Sequence, residues 1–132
     1  LIYRLNMISK TESIRQKSIN QINDSSKVLV FHKFIHLLES NFSNNRNAKL
    51  YAKDLAITYK HLNIICNEVV NKTAKTVITD YIILQAKRKL INSQIKSTEL
   101  AYQLGFEDPT NFTKFFKKNT GLTPNSFKKE HI

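Results

Sequence analysis

The chain's only two glycines, Gly105 and Gly121, and its only two prolines, Pro109 and Pro124, all fall between Leu100 and Lys129. No other stretch carries a strong helix breaker, so this one fixes where the chain must turn. Its spacing predicts helix, turn, helix, turn, helix. Leu100, Ala101 and Leu104 form an apolar face at helical spacing. Gly105 then suits a left-handed position that a Cβ disfavours, and Phe106 is placed to fill the corner.

Asp108 is the natural N-cap of the next helix, with Pro109 at its first position, where a missing N–H costs nothing. Phe112, Phe115 and Phe116 recur at i, i+3, i+4 and are expected to face inward. Thr110, Asn111, Thr113, Lys114 and Lys117 remain on the other side. Gly121 stops the helix and Thr123-Pro124 starts another. A short helix, a glycine corner and a second helix with a polar, basic outer face is the pattern of a helix-turn-helix.

The segment GFEDPTNFTKFFKKNTGLTPNSFKK resembles the second helix-turn-helix of the AraC/XylS family of bacterial transcription regulators. The resemblance covers about Val28 to Lys129 and is strongest at the end of the chain. It implies an all-α fold: two homeodomain-like helix-turn-helix subdomains joined by a long connecting helix. It also implies a first, degenerate unit about fifty residues upstream.

That unit is visible. Fifty residues separate Thr58 from Asp108, and the same shift carries Leu62 onto Phe112, and Ile65 and Cys66 onto Phe115 and Phe116. Asn71 falls on Gly121, Thr73 on Thr123 and Ala74 on Pro124. Asn is well suited to a left-handed position without being glycine. Ala52 and Leu55 match Ala101 and Leu104, with one residue fewer in the turn. The repeat is one of physical role more than of letters.

Charge narrows the partner. The chain has 132 residues, with 21 Lys and Arg against 10 Asp and Glu, a formal net charge of +11. Such an excess favours a polyanion, either nucleic acid or an acidic membrane surface. One cysteine rules out an internal disulfide and fits a reducing cytoplasm, which is the expected location. No apolar run reaches the about 18 residues of a membrane span. The chain starts at Leu1 without an initiator Met and is expected to be part of a longer protein.

In chain order, Leu1, Leu5 and Ile8 share a helical face, expected to be the end of an upstream sensing or dimerisation domain or else a frayed tail. Lys17 to Lys27 is polar and without periodicity, which predicts a linker, and the resemblance implies a DNA-binding domain over residues 27–132 behind residues 1–26. Within it, unit one is expected over about 27–75, the connecting helix over about 76–93 and unit two over about 95–132. A helix over Lys27 to Phe42 presents Val28, Phe31, Ile35, Leu38 and Phe42, reinforced by Phe34. Its histidines His32 and His36 stand at i, i+4, but no third ligand accompanies them, and surface histidines are the better reading. No metal and no cofactor is expected.

Ala48 to Leu55 and Thr58 to Val70 are the helices of unit one, and Cys66 lies on a core stripe rather than in a reactive site. The connecting helix, Thr76 to Ser93, carries Val77, Tyr81, Leu84 and Ile91 among its apolar positions and spans ~27 Å. That length suits two recognition helices in major grooves roughly one turn of B-DNA, ~34 Å, apart. Ser97 is a candidate cap for the helix that follows.

The resemblance implies double-stranded promoter DNA as partner, read in two successive major grooves. The residues expected near base edges are Thr110, Asn111, Thr113 and Lys114 in unit two, and Lys60, His61, Asn63 and Asn67 in unit one. Lys117, Lys118 and Lys128 are expected at phosphates. The family also implies contact with RNA polymerase, a small-molecule effector bound by an upstream domain, and a homodimer of the full-length protein.

Three positions depart from the family pattern. Ile64 stands where arginine is frequent and either suits a thymine methyl or leaves unit one reading fewer bases, Tyr81 stands where a basic residue is common, and Asn71 replaces a glycine. No phosphate-binding glycine loop and no catalytic constellation is present, so an enzyme is not expected. The competing class is a helical module that binds RNA or acidic membranes nonspecifically. Against it, most phenylalanines lie on inward stripes rather than on exposed stacking platforms.

Overall fold

The computed structural model describes residues 18–131, with side chains from Ser25 onward. Every regular element among the described residues is a helix, with no strand among them. The helices are α1 (Ser18–Asn41), α2 (Ala48–Asp54), α3 (Tyr59–Val70), α4 (Ala74–Asn92), α5 (Ser97–Gln103), α6 (Pro109–Thr120) and α7 (Pro124–Glu130). The all-helical expectation holds. The face built on Leu1, Leu5 and Ile8 lies outside the described residues. None of the described helices is long and apolar enough to cross a membrane.

Packing divides the chain into two compact units. One takes in the residues up to Ser40 together with Asn47–Val77, and the other takes in Asn41–Arg46 together with the residues from Ile78 onward. The division falls inside α4, between Val77 and Ile78.

In unit one, α1 supplies Phe31, Phe34, Ile35 and Leu38, all buried. Phe34 meets Phe31 and Tyr51 edge-on, with ring centroids 6.4 and 5.6 Å apart, the arrangement that sets the positive rim of one ring against the negative face of the next. Ala52, Leu62, Ile65, Cys66, Ala74 and Val77 complete the core. Lys27 of α1 pairs with Glu68 of α3. Both side chains are part-exposed, so the pair adds little stability.

The segment expected to be a linker is helical from Ser18 onward. It lacks a hydrophobic period but also lacks Gly and Pro. Extending a helix that packs further along is far easier than nucleating one, so α1 runs back through it.

In unit two, Leu100, Ala101 and Leu104 lie against the aromatic cluster Phe106, Phe112 and Phe116, all buried, with α5 packed on α6 and α6 on α7. Phe106 fills the corner as expected, with its ring 5.3 Å from Phe112 and 5.2 Å from Phe115. Phe115 itself is only half-buried. Removing a buried ring such as Phe112 would cost ~3–5 kcal/mol. The α1–α2 loop joins this unit: Phe42 meets Tyr81 edge-on at 5.3 Å, and the Arg46 guanidinium lies 4.0 Å from the centre of the Phe106 ring.

The apolar stripe of α4 differs from the expected one. Val77 is buried and Tyr81 half-buried, but Leu84 and Ile91 are 39% and 49% exposed. Ile78, Ile82, Ala86 and Leu90, spaced by four, are buried instead, with Ile83 beside them. With Ile82, Ile83 and Leu84 consecutive, two stripes fit the same letters. Ser97 does not cap α5: Lys96 holds that position without a side-chain bond, and Ser97 is already inside the helix.

Candidate nucleic-acid interface

Helices α3 and α6 begin and end alike. At the start of α3 the Thr58 hydroxyl accepts the His61 N–H at 3.0 Å. At the start of α6 the Asp108 carboxylate accepts the Thr110 N–H at 2.8 Å, with Pro109 at the first position. Each bond satisfies an amide that the helix itself leaves unpaired. At their ends Asn71 (φ 57°) and Gly121 (φ 84°) are left-handed, and each donates its N–H to the carbonyl four residues back. The next helix is then capped in each unit by a threonine, Thr73 to the Thr76 N–H and Thr123 to the Ser126 N–H. The capping and terminating residues, Thr58 with Asp108, Asn71 with Gly121 and Thr73 with Thr123, are fifty positions apart, although Thr58 caps the amide three residues on and Asp108 the amide two residues on.

The corners before α3 and α6 match as well. Ile57 donates to the Ala52 carbonyl and Ala56 to Lys53, while Phe106 donates to Ala101 and Gly105 to Tyr102, all at 3.0 Å. Both are six-to-one and five-to-two closures that pair the last carbonyls of the preceding helix. The left-handed residue is Gly105 (φ 93°) in unit two and Ala56 (φ 59°) in unit one. Unit two needs glycine for a second reason: a Cβ on Gly105 would stand 1.9 Å from the Ser43 carbonyl oxygen.

This frame sets which side chains face out. In unit one Lys60, His61, Ile64 and Asn67 are exposed, and in unit two Thr110, Asn111, Lys114 and Lys117 are exposed. The two rows coincide under the shift of fifty. Opposite them Leu62, Ile65 and Cys66 in α3, and Phe112 and Phe116 in α6, are buried.

Two expected base-readers are not on these rows. Asn63 is half-buried, and its carboxamide oxygen accepts the Ala74 N–H at the start of α4, at 2.9 Å. Thr113, its equivalent in α6, is half-buried too. Among the expected phosphate residues Lys117 and Lys118 are exposed, whereas Lys128 is half-buried in the last turn of α7. Beside it the His131 ring stacks on Phe127 at 4.1 Å, with Nδ1 2.8 Å from the Phe127 carbonyl oxygen.

The outer faces differ in charge. Helix α6 carries Lys114, Lys117 and Lys118 and no acid, while α3 carries Lys60 and Glu68. Tyr59, expected to face outward or flank, is exposed at the first position of α3 with the Lys49 Nζ 5.8 Å from its ring centre. Its equivalent in α6 is Pro109, the residue just inside the cap.

Burial pushes the Cys66 thiol from 9.0 up to about 12, so it stays protonated and inert near neutrality. Of the two histidines of α1, His36 is exposed and His32 half-buried. Among the described residues no cluster of three His, Cys, Asp or Glu side chains could hold a metal ion.

Comparison with known proteins agrees with this geometry. A family model described as a helix-turn-helix domain matches residues 51–130. The chain is 33% identical over 92 residues to an uncharacterised HTH-type transcriptional regulator in the cgkA 5′ region of Pseudoalteromonas carrageenovora. That match takes in 70% of this chain and 54% of the relative, so the chain spans about half of that protein's length.

Two solved structures share the fold. One is a transcriptional regulator of Chromobacterium violaceum described as having an AraC-type DNA-binding domain, with a TM-score of 0.69 at 11% identity over 81% of this chain and 96% of that one. The other is the DNA-binding domain of AdpA, a global transcriptional factor solved in complex with a target DNA, with a TM-score of 0.67 at 15% identity over 75% of this chain and 89% of that one. With two helix-turn-helix units built on one set of caps and corners, and a family model spanning both, the chain belongs to the AraC-type helix-turn-helix family of transcriptional regulators.

Proposed function

We propose that this chain is a sequence-specific, double-stranded DNA-binding transcription regulator that inserts α3 and α6 into successive major grooves. The observation that carries the proposal is the pair of matching outward rows, Lys60, His61, Ile64 and Asn67 against Thr110, Asn111, Lys114 and Lys117. A helix of ~10–12 Å diameter fits a major groove ~12 Å wide, and side chains in its outward row then meet base edges. That AdpA's DNA-binding domain has been solved with a target DNA supports the same use of this fold.

In this reading Lys60, His61 and Asn67 of α3, and Thr110, Asn111 and Lys114 of α6, read bases, with Thr113 at the groove edge. Asn63 instead holds the start of α4. Lys117, Lys118 and Lys128 grip phosphates and set register. The basic α6 supplies most of the hold on the backbone, and the nearly neutral α3 contributes mainly selectivity. Residues 27–132 are the DNA-binding part, and α1 carries the chain into it from an upstream sensing or dimerisation domain. An effector bound there, a homodimer and contact with RNA polymerase belong to the full-length protein.

The test is selection of binders from a random duplex DNA library at near-physiological salt. A motif of two segments about one helical turn apart is the expected result. A single short segment would leave α3 without a reading role. Binding with no motif, lost simply as salt rises, would make the chain a nonspecific polyanion binder and overturn the proposal.

A further inference from the structure

Ile64 is the one large aliphatic side chain in either outward row, and it is 42% exposed. It is not overflow from the core. The core side of α3 is complete with Leu62, Ile65 and Cys66, each fully buried. One turn before it stand Lys60 and His61, and one turn after it stand Asn67 and Glu68, all exposed. An apolar group thus sits at the centre of an otherwise polar face. Its equivalent in α6 is Lys114, also exposed and central.

In the major groove the base edges present hydrogen-bond donors and acceptors and one apolar group, the 5-methyl of thymine. An isoleucine can take no part in the hydrogen bonds but can bury that methyl. Its branched Cβ leaves essentially one χ1 rotamer in a helix, so the apolar surface is held ready with little entropy left to lose. A lysine at the equivalent place seeks acceptors instead, above all guanine O6 and N7.

We propose that Ile64 is a specificity-determining residue that reads the 5-methyl group of a thymine, at the position of unit one's half-site that corresponds to the base read by Lys114 in unit two's. The inference rests on the proposal that α3 lies in a major groove. The two units then share a frame but differ in base preference at the central position.

The test uses the full chain and a duplex chosen from the random library. Each thymine in the segment assigned to unit one is replaced, singly, by deoxyuridine, which removes the methyl and keeps the pairing. One replacement is expected to weaken binding by about four-fold, the worth of one buried methyl. With Ile64→Ala the same replacement should make no further difference, because the two changes remove one contact. Ile64→Lys, repeated through the selection, should exchange thymine for guanine at that position alone. Ile64 is exposed, and all three residues suit a helix, so these variants keep the fold.

A two-segment motif in which no thymine is sensitive to deoxyuridine overturns this inference and leaves the regulator proposal standing. Sensitivity that persists unchanged in Ile64→Ala does the same. Failure to obtain any motif overturns both.

Discussion

The carboxamide oxygen of Asn63, in the middle of α3, accepts the backbone N–H of Ala74, the first residue of α4, at 2.9 Å. An asparagine that a helical wheel sets among the outward-facing residues is therefore turned back to satisfy one of the orphan amides of the next helix. Asn63→Ala is expected to cost ~1 kcal/mol of stability, the usual worth of a side-chain cap. It should leave the selected DNA motif unchanged. Denaturant unfolding measures the first and repeated selection the second, and a changed base preference would return Asn63 to the groove.

The two glycines are expected to respond unequally to a methyl group. Gly121 is left-handed with open space around the place a Cβ would take, so Gly121→Ala carries only the backbone strain, ~1–2 kcal/mol. Gly105 has the same strain and the Ser43 carbonyl in the way, and Gly105→Ala should lose more than ~3 kcal/mol. Paired thermal melts of the two variants check the order.

Ala56 is the mirror case, a residue with a Cβ held at φ 59° where unit two has glycine. Ala56→Gly relieves the left-handed strain but enlarges the freedom of the unfolded chain. The net is a gain of about 0.5 kcal/mol. A melting temperature at or below that of the parent would show that this corner is not strained.

Alkali should weaken unit one. Burial raises the Cys66 thiol from 9.0 to about 12. Burial first, and then the Asp54 charge, raises the Tyr51 hydroxyl from 10.0 to about 12. Both groups keep their protons in the fold and release them more readily when unfolded. Their contribution is whole below the unfolded values and is lost as pH climbs from about 9 to about 12. Stability measured in denaturant should fall steadily across that window, and with Tyr51→Phe the slope should be shallower above pH 10.0.

Lysines on the same helix are expected to separate by role. Lys114→Ala should cost ~1–3 kcal/mol on the selected duplex and much less on random sequence. Lys118→Ala should weaken both alike and lower the salt slope by ~1. Titrations of both duplexes at several salt concentrations distinguish them. Equal losses for Lys114→Ala would make it a phosphate contact.

What could be read from the letters was mostly punctuation and its echo. The caps Thr58, Asp108 and Thr123, and the left-handed Asn71 and Gly121, follow from local chemistry that acts within a few residues. Where the sequence misled, distant packing decided. The four-residue spacing of Ile78, Ile82, Ala86 and Leu90 was hidden by the apolar run Ile82-Ile83-Leu84. The Ser43 carbonyl beside Gly105, the Arg46 guanidinium over Phe106 and the turn of Asn63 toward Ala74 join residues with no local signal between them. Ser18 opens a helix because a polar stretch without breakers simply extends a helix that packs elsewhere.

In the proposed reading, the unequal charge of α6 and α3 makes the chain, on a duplex, a bivalent ligand with a strong arm and a weak one. The weak arm does not meet DNA at its concentration in solution. Once the strong arm is bound, it faces an effective concentration set by the chain between them. A half-site that α3 would hold too feebly alone can then still be occupied most of the time. Modest changes in that half-site would be read as graded occupancy rather than as presence or absence.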